Sequence, residues 1–175
     1  MSYDQSRAWA DRFIDQQMRI LNNNIAVLDF NKIKTRGYQI QLASEEDDQK
    51  FETDVVVFGT LRIALRVRNG LSTTYNDIAL RSYRPSGVMT EVHKIKSGLG
   101  DYYLYCWTAD GVTISEYILI DLDKLRSVMD NCLVQFEHFC DDGTAFNTYS
   151  IDKMISYGCC VSWFFNPQST YSILN

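Results

Sequence analysis

Proline is nearly absent from this chain and histidine equally so. Only Pro85 and Pro167 occur among 175 residues, with nine glycines, while 46% of residues are hydrophobic and 22% charged. That balance excludes collagenous, low-complexity and disordered classes. The only histidines are His93 and His138, and none of the five cysteines (Cys106, Cys132, Cys140, Cys159 and Cys160) stands in a CxxC pair. A zinc centre therefore lacks ligands, and a Cys132/His138/Cys140 set has no fourth partner. Cys159 and Cys160 sit among apolar residues, so the expected state is free, buried thiols in a reducing compartment. No apolar run approaches the roughly 18 residues of a membrane span, because Arg62, Arg66 and Arg68 interrupt the most apolar stretch. The opening MSYDQSRAWADRF has no apolar centre of the signal-peptide kind, so a cytoplasmic location without a membrane partner is expected. Gly-rich phosphate loops, GxSxG and HExxH are missing as well.

What is present is enough chain for one domain with a substantial core, and an uneven layout of charge. The net charge of −5 divides into +2 over residues 1–44, −5 over 45–54, +5 over 62–96 and −7 over 97–175. An acidic cluster, EEDDQKFETD, thus precedes a basic block inside an acidic protein. Such a layout suits either a mixed solvated surface or a metal or phosphate site with a basic approach. Broad nonspecific coating of DNA does not fit the acidic total, whereas a local groove does.

Periodicity gives an α/β reading. Residues 5–23 are expected to be helical, with Trp9, Phe13, Met18 and Leu21 on one side. Strands are expected over 38–42, 55–58, 61–68, 77–84, 102–107, 116–120 and 155–165. Gly59-Thr60 reads as a hairpin turn, and Asp110-Gly111 and Asp141-Asp142-Gly143 as further turns. Helices are expected from Thr90 to Lys96 and from Asp121 to Met129, with Thr90 and Asp121 as N-caps. The whole is one domain, residues 1–175, built on a central mixed β-sheet flanked by helices.

Leu61 to Arg68 alternates strictly, placing Arg62, Ala64, Arg66 and Arg68 on one face. Three arginines on one face of a strand repel unless something anionic lies opposite. Neighbouring carboxylates would make a structural ion-pair network. A phosphate would make the same face a binding surface, since the guanidinium fork matches its oxygens.

A helix, a strand entered through an aspartate (Glu52-Thr53-Asp54-Val55-Val56-Val57), a hairpin to a strand with a polar-x-polar element, then a helix and further strands resembles the PD-(D/E)xK, or restriction-endonuclease-like, nuclease superfamily. The later segments Asp77–Ser82, Thr90–Lys96, Gly100–Tyr103 and Leu119–Arg126 look like its phage or prophage branch. The resemblance covers about residues 10–127 and leaves 128–175 as a C-terminal extension. It implies Mg²⁺ held by Asp54, with Asp48 and a migrated acid, Glu91, in support. It implies catalytic roles for Asp54, Glu91 and Arg68, and a nucleic-acid strand held by Arg62, Arg66 and Arg81. The sequence departs from the motif where Arg66-Val67-Arg68 stands in place of acid-x-lysine. A fixed cation there repels a metal ion, and arginine is a poor proton shuttle though a good stabiliser of negative charge. Three outcomes follow: a phage-type nuclease acting on nucleic acid with Mg²⁺; a catalytically inactive module that binds nucleic acid or a host protein, in the latter case as an inhibitor or nucleic-acid mimic would; or a small structural or assembly protein whose charges only solvate it. The aromatic residues, Trp9, Trp107, Trp163 and the tyrosines among them, serve either as core or as stacking surfaces for bases. Asp121 and Asp123 read as a helix cap or as a metal pair.

Overall fold

The computed structural model describes residues 3–24, 40–42, 55–57, 61–70, 72 and 76–165. Two helices come first, α1 (Tyr3–Asp11) and α2 (Ile14–Asn24), followed by strands β1 (Ile40–Leu42), β2 (Val55–Val57), β3 (Leu61–Asn69) and β4 (Asp77–Tyr83). After helix α3 (Glu91–Lys96) come β5 (Tyr102–Thr108), β6 (Glu116–Asp121), helix α4 (Leu122–Cys132), β7 (Leu133–Phe139) and β8 (Ala145–Ser150). Helix α5 (Ile151–Ser156) and β9 (Cys160–Phe164) complete the described chain. The fold is α/β with two open sheets. The larger has the order β1-β2-β3-β5-β6-β9 and the smaller β4-β8-β7. No helix among the described residues is long and apolar enough to cross a membrane.

The expected antiparallel pairing is present, with Val57 of β2 opposite Leu61 of β3 and Val55 opposite Ile63, while the Gly59-Thr60 turn expected between them lies outside the described residues. β3 then pairs in parallel with β5, which makes the larger sheet mixed, and the crossover carries β4 and α3. Asp101 sets the start of that parallel pair. Its Oδ2 accepts the Arg62 N–H at 2.7 Å, and its own N–H donates to the Arg62 carbonyl at 2.8 Å.

Alternation along β3 and β5 gives the larger sheet two different faces. On one, Leu61, Ile63, Val67, Tyr102, Leu104, Cys106 and Leu119 are buried against Phe13 and Leu21 of the helical N-terminus. On the other, Ala64, Tyr103, Tyr105, Trp107, Ile118 and Ile120 join a core shared with β4, β8 and helices α3, α4 and α5. Tyr103, Tyr105 and Trp107 form a ladder here, with ring centroids 6.1 and 4.9 Å apart in turn. This second face is where Arg66 and Arg68 point, so the arginine row lies against the small sheet.

Several local expectations are revised by the structure. The N-terminal helix breaks at Arg12-Phe13, where Phe13, fully buried, becomes the first link into α2. One expectation is met, since Asp121 caps α4 by accepting from the Asp123 and Lys124 N–H groups. Thr90 occupies the N-cap position of α3 without capping it: its hydroxyl donates to the Ser82 carbonyl and meets His93 Nδ1 at 2.7 Å. The long strand expected over 155–165 is instead the end of α5, a turn through Gly158 (φ +69°) and the short β9. Residues beyond 128 are woven into both sheets: β7 and β8 build the small sheet with β4, and β9 pairs with β6.

Candidate functional site

The described site residues meet where the edge of the small sheet abuts the arginine face of the large one. An edge strand exposes a row of N–H groups that need acceptors when buried. β4 meets this need with side chains from outside its sheet. The Ala79 N–H reaches the Tyr105 hydroxyl at 3.4 Å, and the Arg81 N–H donates to Glu91 Oε2 at 2.7 Å. The other carboxylate oxygen of Glu91, Oε1, accepts from Arg66 Nη1 at 2.6 Å. Glu91 is buried, and both its oxygens are committed to these two donors.

Two ion pairs of the arginine row among the described residues differ in kind. Arg66 is held charged well above the ordinary arginine range, because the attraction of Glu91 outweighs the cost of burial. Arg68 faces Asp77 at 3.8 Å. There burial wins: the Asp77 carboxyl is raised above its ordinary pKa by desolvation, and the pull of Arg68 only partly offsets it. The exposed Arg62 contributes its backbone N–H to Asp101.

Arg81, expected as a ligand-holding residue, stands opposite Phe146 across the β4–β8 pair. Its guanidinium lies over the Phe146 ring at 5.3 Å, and that of Arg66 at 6.0 Å. Each distance lies within cation–π range. Arg81 thus joins Arg66 and Glu91 in one cluster, whereas Arg68 pairs further along with Asp77. Asp48 and Asp54, the expected metal ligands, lie outside the described residues. Among the described residues, no three His, Cys, Asp or Glu side chains converge on a point that would hold a metal ion. Asp121 is engaged as a cap, and Asp123 pairs with Arg126. The five cysteines are free thiols, with Cys106, Cys132, Cys159 and Cys160 buried and Cys140 exposed. Burial pushes the Cys159 thiol up to about 11, and Cys160 to about 12, so neither is an activated nucleophile at neutral pH.

Two members of this neighbourhood escape a reading of the sequence. Phe146 carries no local signal, since its role comes from pairing with a strand more than sixty residues away. Arg84 lies just past the end of β4, and its proximity is felt at Arg81, whose pKa is lowered by burial first and then by repulsion from Arg84 and Arg66. The basic count over residues 62–96 included Arg84, but period-two alternation did not group it with Arg81. A scan against protein-family models gives no match to this chain, and a search of curated proteins gives none either.

Proposed function

We propose that the protein is a nuclease-like, nucleic-acid-binding module that holds a strand through its arginine cluster and does so without catalysing cleavage. The observation that carries this reading is the commitment of Glu91. Its two oxygens serve the Arg66 guanidinium and the Arg81 N–H, so it is not available as the migrated metal-binding acid. Mg²⁺ prefers clustered, hard oxygen donors. The described donors do not fit it, because the one candidate carboxylate is neutralised by an arginine. The restriction-endonuclease-like architecture rests on the sequence resemblance through Asp54 and the arginine strand. The cluster itself supports recognition of an anion, with Arg66 and Arg81 disposed over an aromatic ring.

The test is an equilibrium binding measurement with labelled single- and double-stranded oligonucleotides at low salt, with the same samples run on a denaturing gel in Mg²⁺ and Mn²⁺. Salt-sensitive binding with intact oligonucleotide supports the module. Cleavage that Asp54→Asn abolishes would return the protein to the metal-dependent phosphodiesterases. A second reading, a module that binds a host protein, draws on the exposed Val134, Phe136 and Phe139 of β7. These residues are 61, 67 and 58% exposed on an edge strand. Absence of any oligonucleotide binding at low salt would favour it.

A further inference from the structure

Three buried side-chain polar atoms among the described residues have no hydrogen-bond partner: Arg81 Nε, Ser82 Oγ and Arg84 Nε. All three fall within four consecutive residues at the end of β4. Buried polar groups in folded proteins are nearly all satisfied, and an unsatisfied one carries a free-energy cost. Two guanidinium donors left unsatisfied three positions apart in the chain point to an acceptor supplied from outside it.

The local charge points the same way. Arg66 and Arg84 both act against the charge of Arg81 here, with Glu91 and Asp142 as the carboxylates that support it. Glu91 is committed to Arg66 and to the β4 backbone. Asp142 caps its own turn, its Oδ1 accepting from the Thr144 N–H at 2.9 Å and the Thr144 hydroxyl at 2.6 Å. It is also the weakest of the influences on Arg81. The cluster therefore retains a positive surplus in a partly desolvated place, where an anion is held more strongly than in open water. Phe146 lies beneath the Arg81 guanidinium and limits its orientation.

We propose that Arg81 and Arg84 form a seat for a phosphate group, with Phe146 as its apolar wall. A guanidinium presents Nε together with one Nη as a fork that matches two phosphate oxygens. Small rotations at the ends of the two side chains turn these forks outward to a shared oxyanion. A phosphate in this seat satisfies both orphaned Nε donors and relieves the repulsion between the arginines. The phosphate is that of a nucleic-acid strand or a free phosphate. The strand form rests on the function proposed above, whereas the seat itself does not.

Two probes separate these sources: a labelled single-stranded oligonucleotide followed by fluorescence anisotropy, and inorganic phosphate followed by thermal unfolding against chloride at equal ionic strength. Arg81→Gln and Arg84→Gln are each expected to weaken oligonucleotide binding by about tenfold or more. Each is also expected to reduce the slope of log affinity against log salt by about one. Both should abolish the rise in unfolding temperature caused by phosphate. Arg84→Lys keeps the charge but loses the fork, and an intermediate affinity is expected. It guards against a Gln variant that binds poorly because it folds poorly. Oligonucleotide binding unchanged in all three variants overturns the seat and leaves the nucleic-acid reading standing. Arginine-dependent stabilisation by phosphate without oligonucleotide binding upholds the seat and overturns that reading. No response of the wild type to either probe overturns both.

Discussion

The two faces of β3 share one backbone and meet opposite problems. Leu61, Ile63 and Val67 face a largely apolar layer under α1 and α2, in which Gln17 is a buried polar exception. Ala64, Arg66 and Arg68 face the small sheet, where charge must be matched residue by residue. On the first face, burial of apolar area is sufficient and geometry is forgiving. On the second, each charge is stable only as far as its partner is well placed. Arg66 has a partner at 2.6 Å that outweighs burial, while the Arg68–Asp77 pair at 3.8 Å does not overcome the desolvation of Asp77. The lesson is that an arginine row on a strand is not a single feature. One position became a strut between the sheets, and another remained a loose pair.

Substitutions on the two faces break this contrast in graded ways. The largest effect is expected on the apolar face, where Leu104→Ala in the buried centre of β5 should destabilise by about 3 to 4 kcal/mol in denaturant unfolding. Glu91→Ala should come close behind, at about 3 kcal/mol. It strands the Arg66 guanidinium and the Arg81 N–H together, although the 28% exposure of the Arg66 side chain lets water soften the loss. Tyr105→Phe removes only the hydroxyl that meets the Ala79 N–H, and about 1 kcal/mol is expected.

The smallest change belongs to Asp77→Asn, within about 0.5 kcal/mol of wild type at neutral pH. Its pH dependence has a definite sign. A carboxyl whose pKa is raised on folding takes up protons more readily in the native state. Asp77 therefore opposes folding above its native pKa, and that opposition fades as the pH falls through it. Between the unfolded and native pKa values the Asn variant should lose its advantage over wild type. Thermal unfolding of both proteins from neutral to mildly acid pH would show the two curves converging.

The same contrast explains what the sequence discloses. Leu61 to Arg68 could be read because alternation along an exposed-to-buried strand is local, and so could the antiparallel β2–β3 pairing and the Asp121 cap. The partners could not be read, since Glu91 reaches Arg66 across a crossover and Phe146 reaches Arg81 through a pairing between distant strands. The division into two sheets is hidden for the same reason. The run from Ile155 to Phe165 misleads in a different way, because a continuous apolar stretch fits helix and strand alike. A local signal was present there: Ser150 caps α5 by accepting the Lys153 N–H, and Asp152 stands in the first turn.

The proposed function turns on Glu91 being a structural partner of Arg66 and not a metal ligand, so that the proposed strand binding would need no divalent ion. The most direct measurement is oligonucleotide affinity of the wild type and Glu91→Gln, in Mg²⁺ and in EDTA at matched ionic strength, with the oligonucleotide recovered and sized afterwards. Equal affinity in both conditions for the wild type, with uncut oligonucleotide throughout, is the predicted result. Cleavage by the wild type that requires Mg²⁺ and disappears in a folded Glu91→Gln protein would contradict it.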